Sequence, residues 1–438
     1  MAADPALAGR RRFGGLWRDA DFLKLWAALS VSLMGTQVTA LALPLIAALT
    51  LDASPLQMGV LAAAGQVPFV LVSLPAGVWV DRVRRRPLLI ATDVGSGLLL
   101  LSVPATAAIG EVRFAQLCLV AFGVGALAVV GEVAHYAYTP SVLGRADLVE
   151  GNSKFQVSHS AAAAAGPGLG GLLIQLLSAP VAVLLDAASF LASALLVRAI
   201  DRPEPASARA TADGSPARLV AAGMRFLLGH PLLRPIILAG SVANGFLSAS
   251  IALYLLYATR ELGLDPATIG VVFAVGGVFA VPGALLAPWA GRVLGVGPAI
   301  IGGWVLSALA AFFVPLASGP TGAVVAVLAA ARALDGVTET VANIHQWTLR
   351  QTVTPDDLQG RVTASHRFVV YGAGAFGALA GGTLGSVLGL RAALVVCAAG
   401  ALLAFASLLF SPLRHLREQP ADADDDTGVT GTPTIDSA

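Results

Sequence analysis

Between short clusters of charge, proline and glycine, the chain runs through long stretches in which nearly every position is apolar. They show neither the two-residue alternation of a half-buried strand nor the one-sided stripe of a soluble helix. Twelve such runs are present, at 23–49, 56–80, 87–109, 113–138, 155–177, 180–200, 233–258, 267–290, 298–317, 321–347, 364–387 and 390–411. Each matches the roughly 20 residues that carry a helix across about 30 Å of hydrocarbon. In that medium every backbone N–H and C=O must be satisfied inside the segment, which selects helix. The pattern predicts an all-α integral membrane protein with twelve transmembrane helices.

The polar interruptions divide the chain. Residues 1–22 form an N-terminal segment, 23–200 a first six-helix bundle, 201–231 a linker, 232–411 a second six-helix bundle and 412–438 an acidic tail. The linker opens on Asp201-Arg202-Pro203-Glu204-Pro205, and the tail carries Asp424-Asp425-Asp426 with few apolar groups, so disorder is expected there. The first run is longer than the 7–15-residue apolar core of a signal peptide and leads directly into another span, which reads as an anchor that is retained.

The two bundles repeat one another. Ser54-Pro55-Leu56-Gln57-Met58-Gly59-Val60 aligns with Asp265-Pro266-Ala267-Thr268-Ile269-Gly270-Val271, Trp79-Val80-Asp81-Arg82-Val83 with Trp289-Ala290-Gly291-Arg292-Val293, Asp147-Leu148 with Asp357-Leu358, and His135 with His345. All share an offset near 210 residues. Two parallel six-helix repeats are one of the transporter plans, with the substrate path at the repeat interface.

Composition sharpens this picture. Charged residues make up 12% of the 438 positions against 56% hydrophobic, where a soluble domain carries about 25% charged; the lipid bilayer is the implied partner of the missing polar surface. A net charge of +1 gives no support to a nucleic-acid partner. Cys118 and Cys397 lie far apart in apolar runs and suggest neither a disulfide framework nor a metal site. With the amino terminus in the cytoplasm, the outer loops hold only Arg113, Arg260 and Arg391 and one span holds Arg332, while every other Lys and Arg falls on the cytoplasmic side. This positive-inside bias places both termini in the cytoplasm of a bacterial plasma membrane. Only Lys24 and Lys154 are lysines, preceded by Leu23 and Ser153, so no phosphate-binding G-x-x-x-x-G-K-[ST] loop exists and ATP is not the expected energy source.

Gly77-Val78-Trp79-Val80-Asp81-Arg82-Val83-Arg84-Arg85-Arg86, between the second and third runs, is similar to the G-x-x-x-D-R-x-x-R-R signature of the major facilitator superfamily, with Arg84 where a second glycine is usual. Gly166-Pro167-Gly168-Leu169-Gly170-Gly171 resembles the G-P-x-x-G-G antiporter motif of its proton-driven exporters. The resemblance covers nearly the whole chain and points to the bacterial branch that includes the enterobactin exporter and macrolide and drug efflux proteins. It implies two pseudo-symmetric six-helix bundles and a gating role for Gly77, Asp81, Arg82, Arg85 and Arg86. Asp81 is then expected to latch onto the start of the eleventh helix near Arg361. In the second half Arg292 stands where Arg82 does, but Gly291 replaces the acid, so its latch is expected to run from Arg292 toward Asp147 or Glu150. The antiporter-like motif supplies Gly166, Pro167, Gly170 and Gly171.

Ionisable groups inside apolar runs cost several kcal/mol and mark functional positions by default. Arg332, Asp335 and Glu339 share a helical face through spacings of three and four. Asp335 neutralises Arg332 and leaves Glu339 as the proton-binding acid. Glu132 and His135 form a second proton-coupling candidate on the fourth helix; the arginine usual there in drug/proton antiporters is absent. Asp93 and Asp186 read as capping or packing residues near helix ends, and His159 and His366 as residues at the starts of their helices. Gln37, Gln66 and Asn244 are substrate-path candidates. These readings converge on a monomeric secondary transporter, with no cofactor, metal or ATP, that exports amphipathic or hydrophobic small molecules in exchange for protons. An importer or lipid transporter of the same fold, or a membrane enzyme acting on lipid-linked substrates, are the alternatives.

Overall fold

In the computed structural model, residues 15–80, 82–144, 147–204 and 216–420 are described. Among them the regular structure is helical throughout. The α-helices are α1 (Ala20–Leu49), α2 (Pro55–Leu71), α3 (Ser73–Val80), α4 (Arg85–Ala108), α5 (Phe114–Leu143), α6 (Leu148–Leu177), α7 (Ala179–Arg198), α8 (Pro216–Gly229), α9 (Leu233–Leu256), α10 (Pro266–Leu294), α11 (Val296–Ala311), α12 (Phe313–Leu316), α13 (Thr321–Thr352), α14 (Gln359–Leu388) and α15 (Leu390–Ala406). Among the described residues, eleven helices are long and apolar enough to cross a membrane. Large apolar side chains such as Val387, Phe376 and Leu285 are more than three-quarters exposed, as a surface facing lipid requires.

The run expected as one span at 56–80 is two helices, α2 and α3, divided at Val72. Pro75 explains the break: it has no N–H to donate to the Leu71 carbonyl, and its ring crowds that position. The segment expected as a plain linker contains a helix. In α8, Leu227 is buried with Leu233 and Val362, Ser365 of α14 donates to the Val220 carbonyl at 2.9 Å, and Gly223 sits under the Arg361 carbonyl. Periodic apolar positions within a polar sequence formed an amphipathic helix once α14 offered them a surface. The tail is likewise ordered at its start. Leu413 is fully buried, and the Val296 and Gly297 amides donate to the Arg417 and Leu416 carbonyls at 3.1 and 2.8 Å. The acidic run Asp424-Asp425-Asp426 lies outside the described residues.

Two compact units result: Met1–Ala53 with Leu71–Ala212 and Asp265–Ala274, and Ser54–Val70 with Asp213–Leu264 and Val275–Ala438. Thus α2 groups with the second unit, and the start of α10 with the first. Small residues make both groupings possible. In the first unit a Cβ on Gly270 would lie 2.8 Å from the Gly171 Cα; in the second a Cβ on Gly59 would lie 3.0 Å from the Gly382 Cα. Gly59 and Gly270, like Gly171 and Gly382, are related by the same 211-residue offset as the repeat. Helix starts repeat too: Ser54 accepts from the Gln57 amide at 3.2 Å and Asp265 from the Thr268 amide at 2.9 Å. So do turns, with Ser178 at φ 93° where the second half has Gly389 at φ 83°.

Gly171→Ala and Gly382→Ala should each lower the thermal stability of the detergent-solubilised protein by a similar amount, about 1–3 kcal/mol of overpacking. Gly302→Ala, where a Cβ meets nothing within 4 Å, should leave it unchanged or raise it.

His230 joins α8 to α9. Its Nδ1 accepts from the Leu232 and Leu233 amides at 3.2 and 3.4 Å, a bond that only the neutral ring makes. Burial holds its pKa below the ordinary 6.5. As pH falls through 6.5, the unfolded chain takes up a proton that the folded ring refuses. The contribution is therefore complete above that value and is lost as pH falls toward the folded pKa. Melting temperature should drop between pH values of about 7.5 and 5.5, and the drop should shrink in His230→Asn, which caps without titrating.

Candidate functional site

Of the signature arginines, Arg86 binds backbone at the end of one helix, and the amides of Arg85 and Arg86 start another. Arg86 donates to the Val197 carbonyl at 3.3 Å and the Arg198 carbonyl at 2.5 Å, closing the C-terminal end of α7. In return the Glu204 carboxylate accepts from the Arg85 and Arg86 amides at 2.7 and 3.2 Å, capping the start of α4. A cation at a helix C-terminus and an anion at an N-terminus both complement the macrodipole. Glu204 was not singled out by sequence; the charged run Asp201-Arg202-Pro203-Glu204, directly after an apolar span, was the available signal. The run straps the first unit. Arg202 pairs with Asp19 at 2.5 Å and binds the Val142 carbonyl, while Lys24 bridges Asp21 and Asp201 at 3.0 Å each.

Other residues of the expected latch are placed as follows. Asp81 and the surroundings of Gly77 lie outside the described residues. Arg82 is exposed. Glu150 is buried within the first unit, 3.2 Å from Lys154, and accepts from the Leu16 amide at 3.4 Å. Arg292 donates to the Pro288 carbonyl of its own helix at 3.3 Å, and the Arg361 carbonyl accepts from Ser365 at 2.8 Å. Glu204→Ala should destabilise the purified protein by about 1 kcal/mol, the usual cost of a lost cap, with Glu204→Gln recovering part of it in thermal melts.

The antiporter-like motif is a contact surface. A Cβ on Gly166 would lie 2.5 Å from the Gln37 Cβ, and one on Gly170 3.1 Å from the Val38 Cα, so α6 lies directly on α1. Pro167 presents its carbonyl to Gly270. Gln37 also donates to the Ala162 carbonyl at 3.4 Å, which makes it part of this helix packing.

The first unit contains a cavity of about 390 Å³ whose polar wall includes Asp93, Glu132, His135, Asn152, Gln156, His159 and Ser193. Glu132 and His135 are brought together with Asp93 and His159, neither of which lies at a helix end. Asp93 is two turns into α4 and accepts from Ser193 at 2.6 Å, so it lines a cavity and is not a cap. Asp186 is a packing residue as expected, though within its helix: it accepts from Thr39 and from Ser189 at 3.0 Å and stands against Gly35.

A second cavity, about 550 Å³, lies in the second unit, with Asn244, Glu339, Asn343, Gln346, Trp347, Arg350, His366, Arg367 and Tyr371 on its wall. Arg332 pairs with Asp335 at 2.6 Å, and Asp335 also accepts from Ser307 at 2.5 Å. Glu339 accepts from Asn343 at 3.5 Å, and Asn343 in turn accepts from Trp304 at 3.2 Å. Arg332, Asp335, Glu339, Asn343 and Arg350 form one polar stripe down α13, about 27 Å long at the helical rise. Gln66 and Asn244 meet: both stand against Gly374, and Asn244 donates to the Val370 carbonyl at 2.8 Å. Phe69 stacks on Tyr371 at 4.4 Å. Among the described residues no group of three or more His, Cys, Asp or Glu is placed to hold a metal ion.

Residues 25–378 and 249–435 match the family model of the Major Facilitator Superfamily. The multidrug efflux pump Tap of Mycolicibacterium fortuitum is 29% identical over 413 residues, covering 92% of this chain and 97% of Tap. The enterobactin exporter EntS of Escherichia coli is 27% identical over 354 residues, covering 78% of this chain and 81% of EntS. Among solved structures, a bacterial homologue of the iron transporter ferroportin in its inward-facing state gives a TM-score of 0.70 at 19% identity, covering 90% of this chain and 98% of that one. The nucleoside transporter NupG gives 0.70 at 13% identity, covering 89% and 98%. Both structural likenesses carry the fold and nothing finer.

Proposed function

The chain belongs to the Major Facilitator Superfamily, and on that premise we propose that it exports amphipathic or hydrophobic small molecules across a bacterial plasma membrane in exchange for protons, with both termini in the cytoplasm. It is a multi-pass membrane transporter. Two relatives that align along most of its length are named for efflux or export, and its antiporter-like motif supports the same direction of transport. Both the cation–anion pairing on α13 and the absence of a nucleotide-binding loop support a gradient as the energy source.

One observation carries the coupling: Glu339 faces the cavity of the second unit directly beside an ion pair that neutralises itself. Arg332 and Asp335 compensate each other at 2.6 Å, so the cavity's charge at this level is set by whether Glu339 holds a proton. A carboxyl group that is ionised when cargo is present and protonated when it leaves gives exchange. Glu132, on the wall of the first unit's cavity, is the second candidate carrier.

Everted membrane vesicles with an imposed pH gradient test this reading against a panel of lipophilic dyes and drugs. Cargo accumulation should require the gradient, and Glu339→Gln should remove the pH dependence while leaving downhill exchange of cargo. Accumulation indifferent to the gradient would reject proton coupling; movement only in the opposite direction would reject export.

A further inference from the structure

The second unit's cavity is cationic at one end. Arg350 of α13 and Arg367 of α14 both line it, with His366 beside them. Two guanidinium-bearing side chains on one cavity wall favour an anionic occupant. A second observation points the same way. The Nη1 atom of Arg350 is buried and has no hydrogen-bond partner among the described residues. A buried charged donor left unsatisfied is costly, which argues for a ligand that completes it.

Glu339 also faces this cavity, and it is the obvious internal candidate for that role. It stands eleven residues from Arg350 along the same helix, about 16 Å at the helical rise. Its charged neighbours are Asp335 and Arg332. The wall between the two ends is aromatic: Trp347 lies one turn before Arg350, and Tyr371 is stacked on Phe69. At about 550 Å³ the space suits a drug-sized molecule. The first unit's cavity has the opposite character, with Asp93 and Glu132 on its wall and neither Lys nor Arg.

We propose that this cavity binds an aromatic organic anion, its carboxylate or sulfonate held by Arg350 and Arg367 and its ring against Trp347 and Tyr371. The proposal deepens the export reading by naming a substrate class. An anionic lipid headgroup shares the charge chemistry; the flat aromatic wall favours a soluble aromatic ligand. Two guanidinium groups and one carboxylate form charge-assisted hydrogen bonds that an uncharged ester of the same ring system cannot replace.

Quenching of tryptophan fluorescence in the purified full-length protein tests this, in nanodiscs of phosphatidylcholine, with naphthoate and its uncharged methyl ester as paired probes. Naphthoate should bind at least about tenfold more tightly than the ester, in line with hydrogen bonds to a charged group. Arg350→Gln and Arg367→Gln should each erase most of that preference while ester binding persists, which also reports that the variants are folded; Arg350→Lys should retain part of it. Equal affinity for acid and ester in the native protein overturns the proposal, as does a preference that survives the double Gln variant. Loss of naphthoate binding when the nanodiscs contain phosphatidylglycerol assigns the site to a lipid headgroup and overturns it as well. Binding is read without transport, so a charge preference in a protein that moves no cargo in vesicles would defeat only the export reading.

Discussion

Hydrocarbon offers no hydrogen bonds, and that single constraint governs the rest of this molecule. Every backbone group within a span must be satisfied by its own helix, and every charge retained there must be compensated or used. The helix ends show the first consequence. Glu204 satisfies amides at the start of α4, and Arg86 satisfies carbonyls at the end of α7. Arg86 thus serves as a cap, and Glu204 in the charged run that follows the sixth span serves as its counterpart. Buried polar residues show the second consequence: Asp186 has two hydroxyl donors, and Asp335 has a guanidinium and a hydroxyl.

Without a hydrophobic force between helices in lipid, close backbone approach must supply much of the packing energy. Gly59 against Gly382 and Gly171 against Gly270 are such approaches, and they obey the same offset as the sequence repeat. The antiporter-like motif belongs to the same logic, since a Cβ on Gly171 would meet the backbone of Pro266 and Gly270, and one on Gly166 or Gly170 would crowd α1.

What remains polar after these needs are met is concentrated on two cavity walls. Asp93, Glu132, His135 and His159 line one; Glu339, Arg350, His366 and Arg367 line the other. Neither set is required by helix formation or capping, and each stands on helices whose remaining faces are apolar. Residues kept against the cost of burial, facing space large enough for a ligand, are where transport chemistry is to be sought.

Much of this was legible in the chain alone, because the strongest signals are local. Long apolar runs, charge bias and the repeat all follow from composition along the sequence, and they determined the helical membrane fold and the family. The pairing of Arg332 with Asp335 was legible for the same reason, since three residues apart on one helix is a contact. Distant partners were not. Glu204 meeting Arg85, Asp93 meeting Ser193, and Arg350 sharing a cavity with Arg367 each join separate segments of the chain, and no periodicity along one helix encodes which neighbour it will face. The linker helix α8 and the ordered stretch through Arg417 were missed because each is stabilised by a surface that exists only after α14 and α11 are in place. Sequence decided which segments enter the membrane; tertiary packing alone decided which of the few polar groups face one another, because in lipid that choice is made by shape and small residues rather than by hydrophobic pattern.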